Sequence, residues 1–175
     1  MNQKQKLAMR VKDCCQLSGQ FKLRSGMISD TYFDKYLFES DPILLHDICK
    51  VMMTLIPPET EVLAGLEMGG IPVVTMLSHL TGKPATFIRK QAKSYGTCKY
   101  AEGPDLTGKK VTLIEDVVSS GGAILDALEK LEADAIRPVA IACVIDRQTG
   151  GFENLSAAGY KLRSVLTMSD IESVA

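Results

Sequence analysis

The sequence predicts an α/β fold: a mostly parallel central sheet flanked by helices, with a small N-terminal hood. Three observations point there. Short apolar runs alternate with helical patterns from residue 41 onward, and strands that alternate with helices pair in parallel. Two strand-to-helix turns are rich in small residues, Leu66-Glu67-Met68-Gly69-Gly70 and Ser119-Ser120-Gly121-Gly122. Residues 20–40 differ from the rest, with polar and apolar residues alternating about a Ser-Gly turn as in a hairpin.

Each element has its own signal. Leu7, Val11, Cys14, Cys15 and Leu17 form an apolar stripe that predicts a helix over 3–18, closed by Gly19. The hood follows, over about 18–40. Its Phe21, Tyr32, Phe33, Tyr36 and Phe38 are half of the chain's five Phe and five Tyr. Some of these rings form a satellite core over a sheet edge. One or two, with Arg24 beside them, are candidates to line a pocket for a flat heterocycle.

Asp41-Pro42 opens a helix to about residue 55, with Asp as N-cap and Pro in the first turn. Pro57-Pro58 ends it. Residues 62–65 read as a strand, and a helix runs from the glycine turn to about residue 80. Gly82 and Pro84 stop that helix, and 85–89 form the next strand. Residues 90–104 lack an apolar period and read as a long loop. Residues 111–114 form a strand that ends in Glu115 and Asp116, and a helical pattern follows Gly122. A strand over 137–146 ends in Asp146-Arg147. A turn at 148–151, a helix at 152–158, a strand at 161–166 and a helical turn at 167–170 complete the chain. No linker or repeat interrupts it, so residues 1–175 are read as one domain.

Composition narrows the function. With 20 basic and 21 acidic residues, the net charge is −1, which gives no reason to expect nucleic acid or an acidic membrane as partner. The N-terminal residues lack the apolar core of a signal peptide, and no apolar run is long enough to span a bilayer. A cytoplasmic protein is expected. Five cysteines without C-x-x-C spacing argue against a disulfide framework or a zinc site. Cys49 and Cys143 are expected in the core, and Cys98 in a loop. His46 and His79 read as structural or solvent-facing.

The stretch 111–126 carries the chemistry. A buried strand that meets two acids, then a small-residue turn, then a helix start suits a sugar phosphate. The helix N-terminus offers unpaired N–H groups and a positive dipole end. Small residues let the backbone approach the anion. Glu115 and Asp116 are placed to accept hydrogen bonds from ribose hydroxyls or to approach a Mg²⁺, directly or through water. From residue 68 to residue 101 there is no acid, while Lys83, Arg89, Lys90, Lys93 and Lys99 fall in that interval. A cationic loop beside a phosphate site suggests a lid over a polyanion. Turns 66–70, 89–103 and 115–122 are expected to meet at the carboxyl ends of the strands.

The stretch 111–123 resembles the 5-phosphoribosyl-1-pyrophosphate (PRPP) motif of type I phosphoribosyltransferases. Phe21-Lys-Leu-Arg-Ser-Gly26 with Tyr32-Phe33, Phe87-Ile-Arg-Lys-Gln-Ala-Lys-Ser-Tyr-Gly96 and Ile145-Asp-Arg-Gln148 resemble further segments of one such family, orotate phosphoribosyltransferase. The resemblance covers about 17–172. It implies a type I phosphoribosyltransferase-like fold and transfer of phosphoribosyl from PRPP to orotate in de novo pyrimidine (UMP) biosynthesis, releasing pyrophosphate. It also implies Mg²⁺ as cofactor and a homodimer whose loop 90–103 completes the neighbouring site.

By position, the resemblance implies Glu115 and Asp116 on the ribose, with Lys93 joining them as a catalytic group. It places Val117, Val118, Ser119, Ser120, Gly121, Gly122 and Ala123 around the 5-phosphate. Arg24, Met68, Gly69, Arg89, Lys90, Lys93 and Tyr95 would contact the rest of PRPP. Arg24, Tyr32, Phe33, Ser119 and Arg147 would surround orotate. The metal would be bound mainly through PRPP, with Asp116 as a contact through water. Arg24 and Gly69 stand where many members have lysine, and Tyr95 where many have histidine. Two alternatives remain open: transfer to another nucleobase, or a non-catalytic PRPP-binding regulator. Such regulators generally carry an added nucleic-acid-binding module, and the roughly twenty residues before the hood motif are too few for one.

Overall fold

A computed structural model describes residues 1–22, 26–96 and 98–174. Helix α1 (Gln3–Cys15) starts in a reciprocal cap between Asn2 and Gln5. It stops before the stretch expected to continue it. Residues Gln16–Lys22 form strand β1, which pairs antiparallel with β2 (Ile28–Phe33). Leu17 faces Tyr32 across this ladder, so a partner distant in sequence replaces the local helical bonds. Gly19 is therefore not a helix stop; it sits at the irregularity between Ser18 and Phe21.

The hood is also shorter than expected. Residues Tyr36–Ser40 form α2, and its Phe38 is fully buried in the main core rather than in a satellite. Helix α3 (Pro42–Met52) follows, with Asp41 Oδ1 accepting from the Ile43 and Leu44 N–H groups at 2.9 and 3.0 Å. A 3₁₀ turn at Met53–Leu55 ends it.

The central sheet takes β3 (Val62–Leu66), β4 (Ala85–Ile88), β5 (Ala101–Glu102), β6 (Val111–Val118), β7 (Ala140–Asp146) and β8 (Leu162–Thr167). Their spatial order is β5-β4-β3-β6-β7-β8, all parallel except the short β5. Helices α4 (Gly70–Thr81), α5 (Gly122–Ala133) and α6 (Gly151–Ala157) link the parallel strands, and α7 (Met168–Glu172) closes the chain.

Every residue of β3 and β7 is buried, as befits strands covered on both faces. On one face Leu63, Ile114, Ala142 and Val144 meet α1, α3 and α4 through Val11, Ile48 and Val74. On the other, Ala64, Leu113 and Ile141 meet α5 and α6 through Leu128, Leu131 and Leu155. Each of the Val, Leu and Ile side chains contributes about 1.5–3 kcal/mol on burial. Cys49 and Cys143 are in these cores as expected, and Cys98 is exposed. Among the described residues no helix is long and apolar enough to cross a membrane.

Candidate active site

Strand order reverses between β3 and β6: the chain runs outward from β3 to β4, then returns to β6 and outward to β8. Crevices open at such points beyond the carboxyl ends of the strands. Turn 66–70 leaves β3 there, beside the turn that leaves β6.

The acids do not end β6, as the sequence suggests. The strand runs on to Val118, which pairs with Asp146. The alternation of faces changes phase at the acids. Before them Leu113 faces the α5 side and Ile114 the α4 side; beyond them Val117 joins the α4-side core and Val118 the other.

Asp116 is only 1% exposed and Glu115 8%. Lys35 Nζ, arriving from the hood, forms an ion pair with Asp116 Oδ2. The Asp116 N–H donates to Glu115 Oε1 at 3.1 Å. Glu39, from α2, is buried against the same carboxylate. Gly69 lies so close that an added Cβ would stand 2.1 Å from Asp116 Oδ2.

Three adjoining carboxyls cannot all be ionised. Burial pushes Asp116 up, but the adjoining Glu115 and Glu39 carboxyls and the Lys35 ammonium outweigh it and bring it down to about 2. Burial, followed by Asp116, pushes Glu39 up to about 9 and Glu115 well above the carboxylate range. Burial and the Asp116 charge thus favour the neutral form of Glu39 and Glu115, while Lys35 favours the charged form of Asp116.

The turn after β6 forms a cavity of about 180 Å³ lined by Ser119, Ser120, Gly121, Gly122 and Ala123, with Glu115 at its edge. No side chain caps α5, so its first N–H groups are left for a ligand. The acids are thus not capping residues. Gly121 takes a left-handed φ of 80°, open to glycine without strain. The turn is braced from α6: Asn154 Nδ2 donates to the Ser120 carbonyl at 2.9 Å. An added Cβ on Gly151 would stand 2.5 Å from Val118 Cγ1.

Two larger cavities adjoin this one. A cavity of about 660 Å³ lies toward the hood, lined by Tyr32, Phe33, Lys35, Tyr36, Val117 and Arg147 among others. Tyr32 stacks on Phe21 with ring centroids 5.5 Å apart. The Arg147 N–H donates to the Val118 carbonyl at 2.8 Å, which extends the ladder and fixes the residue at the sheet end. The other cavity, about 580 Å³, is lined by Glu67, Arg89, Lys90, Gly122, Ala123 and Lys130 among others. Glu67 Oε1 accepts from the Lys90 N–H at 2.6 Å, and Lys130 Nζ donates to the Lys90 carbonyl.

Several expected residues lie elsewhere. Lys93 pairs with Glu102 Oε1 at 2.6 Å, and neither it nor the exposed Tyr95 lines these cavities. The antiparallel β4–β5 pair draws the returning end of the loop to the sheet edge. The three turns therefore meet only through the loop's first residues, Arg89 and Lys90. Ser119 lines the small turn cavity and not the hood cavity, because its backbone already belongs to the turn. Met68 is exposed beside Gly69. Arg24 lies outside the described residues. Lys35, Glu39 and Asn154 carry no local sequence signal and enter the site only through tertiary contacts.

A phosphoribosyl transferase domain family matches residues 49–159. The orotate phosphoribosyltransferase of Nocardioides sp. (strain ATCC BAA-499 / JS614) is 49% identical over 167 residues, 95% of this chain and 93% of that one. The chain belongs to the orotate phosphoribosyltransferase family. The fold agrees with solved members of that family. The Mycobacterium tuberculosis H37Rv orotate phosphoribosyltransferase in complex with Fe(III) dicitrate superposes with a TM-score of 0.86 at 32% identity, covering 96% of this chain and 98% of that one. The same enzyme in complex with PRPP gives 0.81 at 28% identity, covering 97% and 98%.

The structure supplies a steric reason for glycine at position 69. Asp116 occupies the space a Cβ would need. Gly69→Ala is expected to displace a buried, paired carboxylate and destabilise the protein by about 1–3 kcal/mol. Thermal unfolding checks this; an unchanged melting temperature would mean that Asp116 moves aside freely.

Proposed function

We propose that this chain transfers the 5-phosphoribosyl group of PRPP to orotate, forming orotidine 5′-monophosphate and pyrophosphate. The observation that carries the reading is the acid pair: Glu115 lines the cavity at the uncapped α5 terminus, and buried Asp116 pairs with Lys35, which lines the hood cavity with aromatic rings and Arg147. The turn 119–123 would take the 5-phosphate on its N–H groups. Asp116, with Glu115 beside it, would hold the ribose hydroxyls. The hood cavity would take the flat base between Tyr32 and Phe33, and Arg147 would meet its carboxylate. Arg89 and Lys90 face the third cavity and would take the pyrophosphate.

A nitrogen of orotate attacks the anomeric carbon as the bond to pyrophosphate breaks. Positive charge develops on the ribose ring, where Asp116 stabilises it. The turn and hood hold the two substrates in line, which supplies much of the acceleration. No side chain forms a covalent intermediate. Among the described residues no group of three or more His, Cys, Asp or Glu could hold a metal ion, and Asp116 is already paired with Lys35. This donor set would suit a Mg²⁺ held mainly by the diphosphate of PRPP rather than by protein side chains. Such a metal draws negative charge from the leaving group. We further place the chain in the cytoplasm as a single-domain subunit of a homodimer, with loop 90–103 reaching the neighbouring site.

Assays with PRPP and a panel of free bases test the substrate: orotate is expected to turn over, and adenine and uracil are not. Turnover of adenine or uracil without orotate would overturn the assignment. Arg147→Ala is expected to raise KM for orotate about 10- to 100-fold, the worth of a charged hydrogen bond, with KM for PRPP little changed.

A further inference from the structure

We infer that Lys35 is a positioning residue for the transfer reaction, its ammonium reaching from the base cavity to fix the Asp116 carboxylate that serves the ribose. The inference rests on the reading of the site proposed above. Lys35 stands where the hood strand β2 gives way to α2, and its side chain, one-third exposed, crosses to β6. The contact joins the segment that follows the two-stranded sheet to a strand of the six-stranded sheet.

Access to Asp116 Oδ2 is narrow. Gly69 blocks it from the β3–α4 turn, with no space even for a methyl group. Glu39 of α2 and Glu115 of β6 adjoin the same carboxylate and bring no positive charge. Among the described residues, Lys35 makes the one ion pair to Asp116. It also lines the hood cavity with Tyr32, Phe33 and Arg147, its ammonium 5.1 Å from the Tyr36 ring centroid. One ammonium thus borders two subsites, and a base entering the hood meets the group that orients the ribose acid.

Burial works against the Lys35 charge, but Asp116 and then Glu39 outweigh it and raise its pKa, so Lys35 is a cation throughout the working range. The other titratable groups around the pair are Asp34, Tyr36, Glu39, Glu115 and the Cys143 thiol on β7. Without the ammonium, Asp116 would face two carboxyl groups with no counter-charge and would take up a proton at higher pH.

The test compares wild type with Lys35→Met, Lys35→Gln and Lys35→Arg. In the neutral variants kcat with PRPP and orotate is expected to fall about 100-fold, the scale of a displaced catalytic group. Part of that loss should return as pH rises and Asp116 ionises. Lys35→Arg is expected to keep the wild-type pH profile and most of the rate. A pH profile unchanged in both neutral variants, or an unchanged rate, would overturn the inference. A second arm needs no substrate: carboxyl ¹³C shifts of unliganded protein should show Asp116 titrating at higher pH in Lys35→Met or Lys35→Gln, whichever folds as wild type. An unmoved titration would overturn the hold of Lys35 on Asp116. Wild-type protein inactive with orotate would overturn the proposed substrate, while the titration arm still decides the Lys35 contact.

Discussion

Asp116→Asn is expected to lower turnover about 100-fold or more while leaving the fold intact. Asn matches Asp in shape, so the contact with Gly69 survives. What is lost is the negative charge beside a ribose ring that becomes positive in the transition state. Two unit charges 4 Å apart at an effective dielectric constant of 20 interact by about 4 kcal/mol, several hundredfold in rate. Glu115→Gln is expected to cost less, about tenfold or below, because burial and Asp116 push the Glu115 carboxyl toward its neutral form. The double variant should therefore resemble Asp116→Asn. Steady-state turnover, with circular dichroism as the check on folding, reads both effects. Wild-type turnover in the double variant would remove the acids from the ribose.

Lys93→Ala is expected to reduce kcat about 100-fold, the usual scale for losing one preorganised stabiliser of developing charge. PRPP binding should weaken less than about threefold, because a group engaged only in the closed state contributes little to the ground state. In the structure Lys93 rests on Glu102 at the sheet edge, outside the three cavities. A surface ion pair of this kind opens at little cost, so the loop can release Lys93 toward the leaving pyrophosphate. Rapid-quench turnover and calorimetric binding of PRPP separate the two effects. An unchanged kcat would show that the Glu102 contact is the residue's whole purpose.

The two predictions differ in how far the sequence supports them. The acids are readable because Glu115 and Asp116 interrupt a strand that is otherwise mostly apolar, next to a turn with no large side chain. Lys93 is one of five cations in the acid-free stretch 68–101, a statement about charge that leaves position open, and its catalytic role is implied only by the family resemblance. The position depends on β5, two residues long and too short to show in any local pattern. The same limit explains the start of the chain. Leu17 carries on the apolar stripe of α1, yet residues 16–22 pair with residues 28–33; the alternation over 20–40 announces a hairpin but not that its first strand starts as early as Gln16.

By itself the sequence determined the order of strands and helices, the parallel sheet and the anion-binding turn after β6. All of these rest on contacts between near neighbours: hydrophobic periodicity, caps and small-residue turns. Only the tertiary structure decided which groups stand around that turn. It brought Lys35 and Glu39 from the hood against Asp116, set Gly69 over the same carboxylate and braced the turn with Asn154. It also favoured charge on Asp116 and the neutral form on Glu39 and Glu115. The charge of a buried carboxyl depends on its desolvation and on its neighbours in space, and in this site those neighbours come from stretches far apart along the chain.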